Sequence, residues 1–290
     1  MNRAEIKQLS REAMRNADPK GWILMLAIML VSGLILTVFE NVLPLALGIP
    51  ADYVAGEISS YNIPEWKIAA IDILSIIGML ITLPFTLSFC RWALNTARGE
   101  DNESFAIMFF GFRQKNRVFR FLLMNIIISI VAIGIYLAEL FLFLFLIALM
   151  GLDANYALYI IIILAAIFAV AAFGIVLVYR WRMAEFIMAE DAEIKAIDAL
   201  KASGRLMKGH KAELFVFDIS FILWGLLIIC TFGLAAFWVG AYITVANANF
   251  YRKLIGEIPP REELSEQEIP VEEKKTDYEA YLDESENSTE

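Results

Sequence analysis

Residues 190–251 have the sequence EDAEIKAIDALKASGRLMKGHKAELFVFDISFILWGLLIICTFGLAAFWVGAYITVANANFY, and this stretch decides the fold. Its first part has the features of an amphipathic helix. Asp191 can cap a helix start, and Lys208, Gly209 and His210 form a basic end that contains glycine. Between them, apolar or small residues recur at three- to four-residue spacing, at Ile194, Ile197, Leu200, Gly204 and Met207. This spacing predicts one apolar stripe along the helix.

The second part, residues 214–251, is an apolar run whose only charged residue is Asp218. As a single helix it would be about 57 Å long, which is nearly twice the hydrocarbon thickness of a bilayer. A break at Thr231-Phe232-Gly233 divides it into two spans of similar length. The whole stretch therefore predicts a charged amphipathic helix followed by a hydrophobic hairpin.

The complete chain is too apolar for an ordinary soluble domain. Of its 290 residues, 59% are hydrophobic, whereas soluble domains have about 45–50%. The apolar runs together predict six membrane spans, at about residues 22–39, 68–90, 121–150, 156–179, 214–231 and 234–251. The first run follows a long charged segment and precedes a poor cleavage site, so we expect an uncleaved span there and no signal peptide.

A short internal repeat relates three parts of the chain. Residues 100–107 match residues 190–197 at five of eight positions, and residues 4–7 recur as residues 192–195. Each copy lies upstream of two apolar runs, and residues 1–21 have the pattern of a helix on the membrane surface. We therefore predict an all-α polytopic transmembrane fold of three hairpins, each preceded by a cytoplasmic amphipathic helix.

Basic residues are distributed unequally between the two sides of this layout. Segments 1–21, 91–120, 180–213 and 252–253 contain five, six, seven and two Lys or Arg residues. The three segments on the opposite side contain one, none and none. Because Lys and Arg favour cytoplasmic loops, we expect a multi-pass protein of the bacterial cell membrane with both termini in the cytoplasm.

The C-terminal segment differs from the rest in charge. Residues 257–290 contain thirteen acidic and three basic residues and few aliphatic ones. Such a segment cannot bury enough apolar surface to offset its loss of entropy on ordering. We predict an integral membrane domain at residues 1–256 and a disordered, acidic cytoplasmic tail at residues 257–290, which is a candidate binding arm for a protein partner.

The run ALKASGRLMKGHK at residues 199–211 resembles a signature of the bacterial membrane family catalogued as domain of unknown function 975. Further similar elements are Leu214-Phe215, Ile219-Ser220-Phe221, Trp224, Asn249-Phe250-Tyr251 and residues 105–112. The resemblance covers about residues 1–255. Ala241 and Ala192 stand where the family pattern has proline. The resemblance implies the architecture and supplies no activity.

Enzyme signatures are mostly absent from the sequence. His210 is the only histidine, which argues against a multi-histidine metal site and against a conventional Ser-His-Asp arrangement. No glycine-rich phosphate loop occurs, and Cys90 and Cys230 lack metal-ligand spacing. We expect His210 to lie at a helix end near the membrane interface, and we expect no enzymatic activity, no cofactor and no metal.

Ionisable and amide residues within the apolar runs are candidates for an intramembrane polar site, because burying them in lipid is costly. These candidates are Glu139, Asp218, Asp72, Asn125 and Asn247. Glu139 lies well inside the run 121–150, where it could bind a proton or cation, bond to a neighbouring helix, or reach the outer interface. Asp218 and Asp72 could equally complement helix N-termini, and asparagines in spans more often bond to other helices than to ligands.

Two basic clusters lie on the predicted cytoplasmic side. Their candidate lipid contacts are Arg113, Lys115, Arg117, Arg205, Lys208 and Lys211. Anionic lipid attracts each such base by about 1 kcal/mol near the surface. We therefore expect anionic lipids of the bilayer as partners at this face, and no nucleic acid.

These features support three functional hypotheses in order of preference. The first is a non-enzymatic membrane protein with a structural, regulatory or assembly role. The second is a transporter or channel component with a polar path near Glu139. The third is a membrane-embedded enzyme, which is disfavoured because no cluster of catalytic side chains is visible in the sequence.

Overall fold

The computed structural model describes residues 3–49, 64–102, 104–150, 156–191 and 193–258, which form helices and turns without a β-strand. The helices are α1 (Arg3–Asn16), α2 (Gly21–Thr37), α3 (Leu43–Ala46), α4 (Glu65–Arg98), α5 (Lys115–Met150), α6 (Tyr156–Trp181), α7 (Ala184–Glu190), α8 (Ala196–Leu206), α9 (Lys211–Ile219), α10 (Ile222–Cys230) and α11 (Ala236–Leu254). A π-helical segment, Val38–Val42, joins α2 to α3, and a 3₁₀ helix, Ser104–Phe112, precedes α5. The predicted all-α class is confirmed. Apart from residues 257 and 258, the predicted tail lies outside the described residues.

Among the described residues, four helical segments are long and apolar enough to cross a membrane. They are Gly21–Ala46, Glu65–Arg98, Lys115–Phe145 and Lys211–Cys230. At most 17% of the residues in their most apolar windows are buried within the chain, so their large apolar side chains are mainly exposed. Soluble monomers rarely expose so much contiguous apolar surface. The chain therefore has the surface of a membrane protein.

The other two predicted spans are also helical. Residues 156–179 fall within α6, and residues 234–251 fall mainly within α11. The count of six spans and their grouping into hairpins stay predictions. Of the three predicted amphipathic helices, α1 and α8 are α-helical, whereas the middle unit has the apolar 3₁₀ helix in this position.

Helix α11 contacts α1, α2 and α4, so together with α4 it lies at the centre of the described fold. Its buried residues include Ala241, Ala246 and Ala248, whose small side chains let neighbouring helices approach closely. Trp92 of α4 is fully buried, and its Nε1–H donates a hydrogen bond to the carbonyl of Pro19, 3.1 Å away. The core therefore joins the two ends of the chain to α4.

The 3₁₀ helix packs closely against α4 beside Pro84, whose ring removes one backbone donor from that helix. Ser88 Oγ donates a hydrogen bond to the Pro84 carbonyl at 3.1 Å and accepts one from the Gly111 N–H at 2.8 Å. A Cβ on Gly111 would lie 2.2 Å from the Pro84 oxygen. Only glycine fits this contact without displacing backbone.

Helices α5 and α6 pack against each other. Among the side chains of α5 that the structure describes, the fully buried ones, Phe121 and Met124, lie in its first third. Helix α6 packs against the core through Tyr179 and Trp181 near its end. Further from these ends, α5 exposes large apolar residues such as Ile133 and Phe141. The α5–α6 pair is therefore attached to the core at one end.

The apolar run 214–251 changes direction where the sequence predicts a break. Helix α10 ends at Cys230 and α11 begins at Ala236. Phe232 and Gly233 between them have φ values of 51° and 88°, in the left-handed region that glycine adopts easily. The Phe232 side chain at this tip is 98% exposed.

Candidate functional site

An ionic network joins the ends of α4, α7 and α11. The guanidinium of Arg98 contacts the carboxylates of Glu190 and Glu257, and Arg252 Nε donates to Glu257 Oε2 at 2.9 Å. The Tyr251 hydroxyl donates to Glu190 Oε2 at 2.6 Å. Hydrogen bonding to Arg98 lowers the pKa of Glu257 below its usual value. Because these charges pair with one another, their arrangement is suited to holding helices together.

Helix α1 is connected to α11 by buried polar contacts. Asn249 Nδ2 donates to Ser10 Oγ at 3.0 Å, and Ser10 Oγ donates to the Ile6 carbonyl at 2.6 Å. Lys7 Nζ donates to the Ser220 carbonyl at 3.0 Å, and burial lowers the pKa of Lys7. These bonds fix the position of the N-terminal helix.

A pocket of about 620 Å³ lies where α6, α8 and α9 meet, and we call it the basic pocket. Its basic side chains are Arg180, Lys201, Arg205, Lys208 and Lys211. All but the half-buried Lys211 are exposed. Among the described residues, none of the five side chains has a hydrogen bond or ion pair. The first turn of α9 also begins here, and the positive end of a helix dipole favours anions.

The structure thus brings together three of the six predicted lipid contacts, Arg205, Lys208 and Lys211. Arg113 and Lys115 are exposed near the start of α5. Arg117 is 8% exposed, and its guanidinium lies 4.2 Å from the centre of the Phe110 ring. Arg117 therefore packs against the 3₁₀ helix and contributes little to the exposed basic surface.

A second cavity of about 310 Å³ lies between α4–α7 and α11, and we call it the interhelical cleft. Its apolar wall includes Phe89, Ile128, Val131, Ile135, Leu177 and Val178. Its polar residues are Thr86, Cys90, Arg182, Glu185, Thr244 and Asn247. The combination of apolar walls and a few convergent polar groups is typical of a small-molecule binding site.

Two polar groups in the cleft are poorly solvated. Burial raises the pKa of Glu185. The charge of Arg182 opposes this increase only in part, and so does the hydrogen bond from the Cys90 thiol, whose Sγ lies 3.6 Å from Glu185 Oε2. Asn247 is 5% exposed, and its Oδ1 is enclosed without a hydrogen-bond partner among the described residues. Such groups usually have partners in a folded protein.

The remaining predicted polar residues do not converge with Asn247. Glu139 is half-buried on α5 and lines neither cavity. Asp218 accepts a hydrogen bond from the Tyr179 hydroxyl at 2.8 Å, so it joins α9 to α6. Asp72 is exposed on α4, and Asn125 donates to the Phe121 carbonyl of its own helix at 2.9 Å.

Sequence reasoning did not identify Glu185, Arg182 or Cys90 as site residues. The run Arg180-Trp181-Arg182 has the composition of a membrane-interface anchor, which is sufficient to account for Arg182 without a site. The one usable signal was Glu185, an acid between Met183-Ala184 and Phe186-Ile187. The part of the chain that the structure describes has no group of three or more His, Cys, Asp or Glu residues that could hold a metal ion.

Comparison with known protein families gives one match. The family model described as "Protein of unknown function (DUF975)" matches residues 1–257. No curated protein and no solved structure matched the chain.

Proposed function

This chain belongs to the DUF975 family of proteins of unknown function, and we propose that it is a non-enzymatic protein of the bacterial cytoplasmic membrane with a structural, regulatory or assembly role. It crosses the membrane six times, has both termini in the cytoplasm, and holds anionic lipid in the basic pocket. A membrane protein that binds anionic lipid at a fixed position can organise the lipids around it, which agrees with a structural or assembly role.

The basic pocket carries this proposal. Five cations lie around one space of about 620 Å³, and none has an acidic partner among the described residues. Like charges at close range repel, so an anion that enters the pocket relieves repulsion as well as gaining attraction. The apolar helix α6 ends beside it at Trp181, and a tryptophan next to basic residues is typical of the membrane interface, which supports a pocket at the depth of lipid headgroups.

The distribution of charge supports the proposed topology. The pocket residues belong to the segment 180–213, which contains more Lys and Arg than any other predicted cytoplasmic segment. The exposed tip at Phe232 belongs to a side with almost no bases. Both features agree with basic residues remaining in the cytoplasm.

The non-enzymatic role is supported by how the charged groups are used. Arg98, Glu190, Arg252 and Glu257 satisfy one another in a network at the ends of helices. The transport hypothesis has less support, because Glu139 lines neither the basic pocket nor the interhelical cleft. For the tail, we propose an interaction arm whose first acid, Glu257, is held by Arg98 and Arg252.

Lipid binding by the purified protein tests the proposal. We would measure adducts of phosphatidylglycerol by native mass spectrometry for wild type, Lys201→Ala and Lys208→Ala. Each substitution removes one cation, so adducts should weaken about fivefold per base.

The matched control is Lys195→Ala, which removes an exposed base at the start of α8 that does not line the pocket. Its adducts should stay within about twofold of wild type. Equal weakening by all three variants, or by none, would refute a lipid site in this pocket.

A further inference from the structure

The interhelical cleft continues as an apolar groove along the α5–α6 pair. A neighbouring space of about 600 Å³ shares Val131, Ile135 and Leu177 with the cleft and extends to Ala138 and Phe173. Residues 128–138 of α5 cover about 15 Å, which is half the hydrocarbon thickness of about 30 Å. The groove therefore has the length of one acyl chain in one leaflet.

One end of this groove is polar and contains both signs of charge. Glu185 offers carboxylate oxygens, and the exposed Arg182 makes no hydrogen bond or ion pair with any described residue. Asn247 is 95% buried at the same end and its side-chain amide also makes no hydrogen bond within the described chain. The Asn247 amide can therefore donate to and accept from a polar group of a ligand at this end of the groove.

We propose that the groove binds one phospholipid with a primary-amine headgroup. The ammonium donates hydrogen bonds to Glu185, the phosphate pairs with Arg182, and the amide of Asn247 bonds to the remaining polar atoms of the headgroup. One acyl chain lies along the groove between α5 and α6. This site is separate from the basic pocket and has a different headgroup preference.

Charge complementarity selects this occupant. A purely anionic headgroup could pair its phosphate with Arg182, but it has no cation to pair with Glu185. A choline headgroup carries a positive charge but has no N–H to donate to a carboxylate. A headgroup with an ammonium and a phosphate matches both Glu185 and Arg182, and charge-assisted hydrogen bonds of this kind are the strong ones.

Competitive lipid retention tests the proposal. The full-length protein, delipidated in mild detergent, would be incubated with equal amounts of phosphatidylethanolamine, phosphatidylcholine and phosphatidylglycerol, and bound lipid measured by native mass spectrometry. Wild type should retain phosphatidylethanolamine over phosphatidylcholine. Glu185→Gln should retain about ten- to a hundredfold less phosphatidylethanolamine, because a hydrogen bond to a charged group is lost.

A second pair of variants tests the groove without changing its polar end. Ala132 lines the cleft, whereas the adjacent Ile133 is 57% exposed and lines neither space. Ala132→Trp should fill the groove and abolish retention of phosphatidylethanolamine, and Ile133→Trp should leave it unchanged. Lys208→Ala should weaken phosphatidylglycerol adducts alone, which separates this site from the basic pocket.

Two outcomes would overturn the proposal. Equal retention of phosphatidylethanolamine by Ala132→Trp and Ile133→Trp would show that the groove is not the binding site. Equal retention of choline and ethanolamine lipids by wild type, with no response to Glu185→Gln, would show that no amine is recognised.

Discussion

The contact between Gly111 and Pro84 gives the sharpest test of the packing. In Gly111→Ala, the new Cβ would lie 2.2 Å from the Pro84 oxygen and 2.9 Å from its carbonyl carbon. These are backbone atoms inside α4, so the 3₁₀ helix must move away. Overpacking of this kind costs about 1–3 kcal/mol, and weakening the bond from the Gly111 N–H to Ser88 adds about 1 kcal/mol.

The expected loss of stability is therefore about 2–4 kcal/mol, which thermal unfolding in detergent should detect as a lower Tm. Gly33→Ala is the matched control, because among the described residues no atom beyond the adjoining turns of its own helix lies within 4 Å of its added Cβ. In the interior of helix α2, alanine is favoured over glycine by about 1 kcal/mol. The two variants should therefore shift Tm in opposite directions, and equal shifts would refute the close contact.

A double-mutant cycle identifies the cause. Ser88→Ala alone should cost about 1 kcal/mol, because the buried Gly111 N–H loses its acceptor. In the Gly111→Ala background the same change should cost less, since that bond is already weakened. Strict additivity would mean that the two positions do not interact.

Three further predictions concern charge and topology. Burial raises the pKa of Glu185, so wild type should lose stability as the pH rises through that pKa. Delipidated Glu185→Gln should therefore have a higher Tm than wild type at pH 8 but not at pH 4.5, and a difference in Tm that does not depend on pH would contradict this. Arg98→Gln should lower stability by about 1–3 kcal/mol, because Glu190 and Glu257 lose the cation that they share, whereas Arg205→Gln should not; equal effects would exclude the network. In a cysteine-free background, a cysteine at Phe232 should react with an impermeant thiol reagent outside intact cells, whereas a cysteine at Lys208 should not. Labelling at Lys208 would mean that the predicted topology is wrong.

Local features of the sequence predicted local structure well. The apolar stripe from Ile194 to Met207 predicted a helix, which is observed as the shorter α8, and Gly233 marked the turn before α11. The predicted start at Asp191 is wrong, because Asp191 caps the end of α7 and Lys195 precedes the first turn of α8. These features depend on residues close together in the chain, for which periodicity and glycine conformations are informative. The basic residues Arg205, Lys208 and Lys211 were likewise identifiable, because a single segment supplies them.

The interhelical cleft could not be predicted in this way. It forms only when Cys90 of α4, Glu185 of α7 and Asn247 of α11 meet, and no periodicity encodes contacts between such distant segments. A basic neighbourhood in the sequence also did not predict the environment of Arg117, because its guanidinium packs on Phe110. Glu139 is a candidate in the sequence because it lies deep in an apolar run. Its depth along the helix does not determine which face of the helix points to a cavity.

The position of α11 at the centre of the fold has a consequence for biosynthesis. The ribosome makes this helix after α1, α2 and α4. Helices α1 and α2 already pack against α4, but the part of each surface that contacts α11 stays without its final neighbour until residues 236–254 are synthesised. Asn247, Asn249 and Arg252 also make α11 a poor substrate for insertion on its own. The packing of α1, α2 and α4 is therefore completed only after α11 is made, when Ser10 can bond to Asn249. A nascent chain arrested before residue 236 lacks the part of the core that α11 supplies.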